Sequence, residues 1–280
     1  MRVPLHVVEA RREKLAALIE RHRYLPIQEL CRHLGVSEAT ARRDLAELAR
    51  RNKVTRTHGG ALVDFNERFP SFRERQASAA KSKARVARRA LGFFKPGGTY
   101  FLDSGTTIYA LAEAFLEAPV SPMTIVTSNI PIGERLSSLP ALSVFLTAGQ
   151  ILGRQSVLLG ETARRSLEFW NFDMAFLSAE AANQEGIWNS QESIVQQQLV
   201  AIRRSARTVY CLDSSKIGCT APFLLKKWPG VDFFLTDAPP AKLAKAGISP
   251  GVVEVVSCDP QVALPDLASP DKPALPVHYL

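Results

Sequence analysis

The sequence predicts an α/β protein in two parts: a small helical head ending in a β-ribbon, then a larger domain on a mostly parallel sheet. Three observations lead there. Helix-period apolar spacing runs to about residue 51, and beyond Gly97-Gly98 short β-prone runs alternate with helical ones. Charge is split along the 280 residues: the first hundred carry 22 Lys and Arg against 10 Asp and Glu, the rest 13 against 17. A basic front on a mildly acidic rear implies that only the front meets a polyanion. Charge alone leaves nucleic acid, a membrane surface and a merely solvated basic face all open. The length suffices for two separate cores.

In the head, Val8, Leu15, Leu18 and Ile19 share one stripe of a helix over 8–21. Tyr24-Leu25-Pro26 breaks it, and Pro26 suits the first turn of a second helix, 27–34, with Ile27, Leu30 and Leu34 inward. Gly35 closes that helix, because glycine tolerates the left-handed turn at a helix end. Ser37 is an N-cap, and Glu38 lies at the positive end of a third helix, 38–51. Two helices joined by a tight glycine turn form a helix-turn-helix. Ala41, Leu45 and Leu48 face the core, so Glu38, Thr40, Arg42 and Arg43 project elsewhere. The first turns of a recognition helix reach base edges in the major groove, where arginine bonds guanine through two donors. Thr40 can bond a phosphate or touch a thymine methyl. The alternative is a surface helix whose arginines pair with Glu38, Asp44 and Glu47. Arg50, Arg51, Lys53 and Arg56 then surround the β-prone run 54–57, His58-Gly59-Gly60 supplies a turn, and 61–63 returns. A two-stranded basic wing beside the helix completes a winged helix-turn-helix over 1–63. Its candidate DNA contacts are Ser37, Glu38, Thr40, Arg42, Arg43, Arg50, Arg51, Lys53, Arg56, His58 and Gly59.

Residues 64–80 read as a linker, followed by a basic, Ala-rich helix that opens the second domain, 81–257. Its β-prone runs lie at 99–102, 124–127, 143–146, 174–177, 208–212, 233–236 and 252–256, and its helices at 107–116, 131–139, 193–206 and 240–246. That alternation implies a mostly parallel sheet covered on both faces, with ligand bound outside the carboxyl ends of the strands. Four such ends are polar: Asp103-Ser104-Gly105-Thr106-Thr107, Thr127-Ser128-Asn129, Thr147-Ala148-Gly149-Gln150 and Asp213-Ser214-Ser215-Lys216. Gly105 lets backbone approach an anion, while hydroxyls and free helix-start N–H groups cradle a phosphate. Lys216 adds a cation, or else pairs with Asp213 or Asp103. The Pro-rich stretch 258–280 reads as an extended tail.

No apolar run of ~18 residues exists to span a membrane, and the start is too short in apolar residues for a signal peptide. Cys31, Cys211, Cys219 and Cys258 form no CxxC pair, so free thiols in a reducing, cytoplasmic compartment are expected, with no metal and no cofactor.

The residues Arg11…Leu15…Ile19, then "SEATARRDL" from Ser37 to Leu45, then "RTHGGA" from Arg56 to Ala61, resemble the DeoR (deoxyribose-operon repressor) family of bacterial regulators. In the second domain "FLDSGTT", "TIVTSN", "LTAGQ" and "LDSSKIG" are similar to that family's sensor motifs, so the resemblance covers roughly 9–240. It implies a sensor fold similar to ribose-5-phosphate isomerase and coenzyme A transferases. It also implies an effector that is a phosphorylated sugar or related metabolite, and a homo-oligomer that represses a carbohydrate operon through double-stranded DNA. The implied effector contacts are Asp103, Ser104, Gly105, Thr106, Thr107, Ser128, Asn129, Gly149 and Lys216. One stretch departs. Where the family carries a glycine-bearing "FIG…G" segment, this chain has Ser178 and Ala181, whose side chains would push ligand from the backbone, and its "GG" is Ala148-Gly149. An isomerase is the rival reading, but that enzyme's acidic "DGADE"-like loop has no counterpart in Ser178-Ala179-Glu180. A second rival is a DNA binder whose rear domain senses nothing.

Overall fold

The computed structural model describes residues 4–22, 24–51, 53–56, 60–62, 69–118, 121–249, 253–259, 261–262 and 264–265. The head opens with α1 (Leu5–His22), followed by β1 (Tyr24–Pro26), α2 (Ile27–Leu34) and α3 (Glu38–Arg50). Gly35 takes φ +63° and ends α2 as its sequence position predicts. Ser37 caps α3, its Oγ accepting the Thr40 N–H. Leu15, Ile19, Ile27, Leu30, Leu45 and Leu48 meet in one buried core. Asp44 turns inward rather than outward: it is 2% exposed and accepts Arg11 Nε at 2.6 Å and Arg12 Nε at 3.0 Å. Those bonds join α1 to α3.

The expected two-stranded wing is a three-stranded antiparallel sheet. β2 (Thr55–Arg56) and β3 (Gly60–Leu62) pair, and β1 adds to the far side of β3 with Leu25 opposite Ala61. Tyr24-Leu25-Pro26 does interrupt the helices, and its extended backbone is used as an edge strand, a position that tolerates proline. His58 and Gly59 lie outside the described residues.

The stretch expected as a linker is not bare loop from Phe69 onward. α4 (Phe72–Ala77) starts with a capping box in which Ser71 and Glu74 each accept the other's backbone N–H. Phe72 enters the core of the second domain, whereas Phe69 belongs to that of the head. α5 (Ala80–Ala90) follows directly.

In the second domain β4 (Thr99–Leu102), α6 (Thr106–Leu116), β5 (Met123–Thr127), α7 (Ile130–Leu136) and β6 (Leu142–Leu146) come first. A hairpin of β7 (Gln150–Leu152) and β8 (Val157–Leu159), then α8 (Glu161–Glu168), leads to β9 (Phe172–Leu177). Next are β10 (Ala181–Asn183), β11 (Gly186–Asn189), α9 (Glu192–Arg203), β12 (Ser205–Leu212) and β13 (Phe223–Lys227). β14 (Phe233–Thr236), α10 (Pro240–Lys245) and β15 (Glu254–Ser257) finish the domain.

Among the described residues seven strands pair in parallel, in the order β15-β14-β12-β9-β4-β5-β6. Alternation along β4 shows why both faces are covered. Tyr100 and Leu102 pack with α5, α6 and α7, and Phe101 packs with α8 and α9. From β4 the chain steps outward to β5 and β6, then crosses back to β9 and proceeds the other way. The carboxyl ends of β4 and β9 therefore flank a topological switch point, the place where open sheets bind ligands. The sequence reading lacked the β7–β8 hairpin, α8 and the small antiparallel sheet β10-β11-β13. At the start of the Pro-rich stretch Leu264 packs on the core of the second domain that holds Tyr100 and Leu102, and Arg89 donates to the Val262 carbonyl.

Candidate functional sites

On the head, α3 exposes Ala39, Arg42, Arg43, Ala46 and Arg50, a stripe at helical spacing. Its arginines are not equivalent. Arg42 donates twice to Glu38, at 2.8 and 2.6 Å, and Arg50 binds Glu47 at 2.7 and 3.0 Å. Arg51 bridges Glu47 (2.8 Å) and Glu9 of α1 (2.8 and 3.1 Å). Those arginines hold Glu47 down to about 2 and keep Glu9 below the usual carboxylate range. Arg43 is exposed and makes no ion pair or hydrogen bond among the described residues. Ion pairing thus claims Arg42, Arg50 and Arg51 through Glu38 and Glu47, whereas Asp44 is consumed by α1. Lys53 and Arg56 are exposed beside this face, and Thr40 is half-buried with its Oγ1 3.0 Å from Ser37 Oγ.

At the carboxyl end of the parallel sheet lies a cavity of about 410 Å³. Strands β12, β9 and β4 are neighbours, so their polar ends converge on it: Asp213, Ser215 and Lys216; Ser178 and Glu180; Ser104, Gly105, Thr106 and Thr107. Gly105 is the N-cap residue of α6 and offers no side-chain cap, so the first N–H groups of that helix remain for another acceptor. A Cβ on Gly105 would overlap the Ser178 hydroxyl, which is why the loop needs glycine there.

Asp103 is a support within this wall. It is 3% exposed, and its Oδ2 accepts Ser178 N (3.0 Å), Ser178 Oγ (2.9 Å) and Gln198 Nε2 (2.8 Å). Burial pushes its carboxyl upward against those hydrogen bonds. Lys216 pairs with neither Asp213 nor Asp103: its Nζ lies 2.7 Å from Glu180 Oε2. Asp213 Oδ1 accepts the Ser215 N–H and hydroxyl, while its Oδ2 is buried with no hydrogen-bond partner among the described residues.

The expected contacts Ser128, Asn129 and Gly149 do not line the cavity. They sit at the ends of β5 and β6, on the other side of β4 from the switch point. Asn129 Nδ2 donates to the Ser104 carbonyl at 3.0 Å while its Oδ1 caps α7, so it braces the loop from behind. The Ser128 carbonyl accepts Leu158 N–H, and Gly149, at φ +128°, leaves room for the Leu159 carbonyl. Ala181 is buried in β10 and also misses the cavity, leaving Ser178 as the side chain that narrows it.

Three cations in the wall, Arg75, Lys83 and Arg21, escaped the sequence reading. Arg75 of α4 donates to Gln155 Oε1 at 2.6 Å and approaches Glu180 at 3.7 Å. Lys83 of α5 is 5% exposed and donates to the carbonyls of Arg75 and Ser78, the latter at 2.6 Å. Burial is the main cause that brings Lys83 down to about 8, with the nearby Asp213 charge opposing the fall. A signal was present: Lys83 heads the same helix stripe as Val86, Ala87 and Ala90, all buried. Arg21, His22 and Tyr24 of the head also line the cavity. Among the described residues no cluster of His, Cys, Asp or Glu could hold a metal ion, and no helix is long and apolar enough to cross a membrane.

A winged helix-turn-helix head and a parallel α/β domain with a cationic switch-point cavity define a DNA-binding regulator with a sensor domain. Residues 11–67 match the DeoR-like helix-turn-helix domain and residues 78–238 the DeoR C-terminal sensor domain. The chain belongs to the DeoR family, a family of transcriptional regulators rather than enzymes. It is 29% identical to the glycerol-3-phosphate regulon repressor of Escherichia coli (strain K12), a match covering 82% of this chain and 91% of that one. It is also 29% identical to the lactose phosphotransferase system repressor of Staphylococcus aureus (strain N315), over 74% and 83% of the two chains. Among solved structures it is similar to ribose 5-phosphate isomerase A from Methanocaldococcus jannaschii, at 16% identity and a TM-score of 0.35, covering 50% of this chain and 55% of that one.

Proposed function

We propose that the chain is a cytoplasmic repressor of a carbohydrate catabolic operon, released from its operator when a phosphorylated sugar or polyol enters the switch-point cavity. One observation carries the reading: the uncapped start of α6 and the cations Lys83, Arg75 and Lys216 border a single cavity beside an acceptor, Asp213 Oδ2, that lacks a donor among the described residues. Helix-start N–H groups and ammonium donors match a phosphate dianion, and a buried carboxylate oxygen matches a sugar hydroxyl. The names of relatives, a glycerol-3-phosphate regulon repressor and a lactose phosphotransferase system repressor, agree with that class.

On the DNA side, Arg43 is the base-reading candidate because its donors are uncommitted. Arg42 and Arg50 can exchange exposed carboxylate partners for phosphates at little cost, since exposed ion pairs contribute only about 0–1 kcal/mol. Ser37, Thr40, Lys53 and Arg56 are placed for backbone contacts. A homo-oligomer would set two heads on half-sites one helical turn apart. Footprinting upstream DNA against a panel of sugar phosphates tests the whole reading. Protection lost on adding one ester supports it. Protection indifferent to every ester favours a DNA binder whose rear domain senses nothing.

A further inference from the structure

The sensor domain does not enclose its cavity alone: Arg21 and His22, the last turn of α1, and Tyr24 of β1 stand in its wall, with Phe69 beside them. We propose that Arg21 of the DNA-binding head is a direct ligand of the effector's anionic group, so that the effector is clasped between head and sensor domain. The proposal rests on the reading of this cavity as the effector site. Arg21 is exposed and makes no ion pair or hydrogen bond among the described residues, so its guanidinium is uncommitted, unlike the guanidinium of Arg75 and the ammonium of Lys216. Guanidinium presents a fork of donors that fits a phosphate through two bonds at once.

The contact between the two parts is built, not incidental. Phe69 is 2% exposed in the head's core, and Leu152 and Ile194 of the sensor domain pack against that core. Arg154 Nε donates to the Phe69 carbonyl at 3.0 Å and Gln155 Nε2 to the Pro70 carbonyl at 3.3 Å. Ile194 also lines the cavity, so its wall and the joint share a residue.

Arg21 also has a route to the recognition helix. α1 is one continuous helix of 18 residues, about 27 Å long at 1.5 Å per residue. One end reaches the cavity, and nearer the other end Arg11 and Arg12 grip buried Asp44 of α3 while Glu9 binds Arg51. Drawing Arg21 toward an anion therefore tilts α1 and α3 together, because their ion pairs and shared core do not allow one to move without the other. By linkage, duplex binding must then change effector affinity by the same factor that effector changes duplex affinity.

The test is calorimetric titration of the full chain with three probes: inorganic phosphate, glycerol 3-phosphate and a hexose 6-phosphate. The variants are Arg21→Gln, Arg21→Lys and Lys83→Gln. The expected result is a tenfold or greater loss of affinity in Arg21→Gln, substantially recovered in Arg21→Lys, and a comparable loss in Lys83→Gln. Recovery by lysine separates a charge contact from a packing role. Wild-type affinity in Arg21→Gln alongside loss in Lys83→Gln would overturn the proposal yet keep the effector site. Absence of binding by the wild type to all three probes, or indifference of both positions, would overturn the reading of the cavity and this inference with it.

Discussion

Replacing Lys83 by methionine keeps the side chain's length and its apolar stem while removing the charge. In the ligand-free protein that cation is expensive: burial lowers it from 10.5 to about 8. Two of its three donors are already taken by carbonyls, leaving one N–H for a ligand. A hydrogen bond between ammonium and phosphate contributes about 1.5–3 kcal/mol, so Lys83→Met should weaken a phosphate ester by roughly 10- to 150-fold. The pH profile gives a second handle. A bound dianion holds the proton on Lys83, whereas the free protein releases it as pH rises through about 8. Sugar phosphates are already dianions there, their second ionisation lying near 6. Affinity should therefore be flat between pH 6.5 and 7.5 and fall about tenfold from pH 7 to 9. In Lys83→Met that fall should vanish. Stability of the empty protein moves oppositely: the unfolded chain binds the extra proton between about 8 and 10.5, so this group's penalty is relieved as pH rises through that window. Isothermal titration at three pH values measures the affinity, and denaturant unfolding of the empty protein at the same pH values measures the stability. Wild-type affinity independent of pH up to 9, or retained affinity in Lys83→Met, would refute a lysine that grips the anion.

Other substitutions probe other joints. Arg43→Ala should cost about 1–3 kcal/mol on the cognate duplex and little on unrelated duplex, measured by fluorescence anisotropy; an equal loss on all sequences would mark a phosphate contact. Asp44→Ala leaves Arg11 and Arg12 without the carboxylate buried between them, and about 3 kcal/mol of head stability should go, read from the denaturant midpoint. An unchanged midpoint would show that packing alone joins α1 and α3. Gly105→Ala should lower the melting temperature through collision with Ser178, and Gly105→Ala/Ser178→Gly should restore it. Additive losses in the double variant would place the strain elsewhere.

Much of this architecture was legible in the chain. The continuous apolar run of 99–102 suits a strand covered on both faces and the stripe of 8–21 follows from the helix period, and Gly35 and Ser37 mark helix boundaries by local conformational chemistry. Polar strand ends were equally visible. Which of them meet was not, because that depends on strand order, and order is a tertiary outcome. β4 lies between β9 and β5, so Asp103 and Lys216 approach one cavity while Asn129 and Gly149 support the opposite shoulder. Lys83 stayed hidden among Lys81, Arg85, Arg88 and Arg89, all basic and all at helical spacing; only packing distinguishes the buried one. The strands of the small antiparallel sheet are three to five residues long, too short for a period to declare itself.

The most direct measurement is duplex binding by the full protein, with DNA from its own upstream region, across a salt series and with and without sugar phosphates. Binding should weaken steeply as salt rises and weaken further, at fixed salt, when one phosphate ester is added. Association that is insensitive to salt would contradict a basic head docked on phosphates, and salt-sensitive binding that no ester alters would contradict the coupling of cavity to recognition helix.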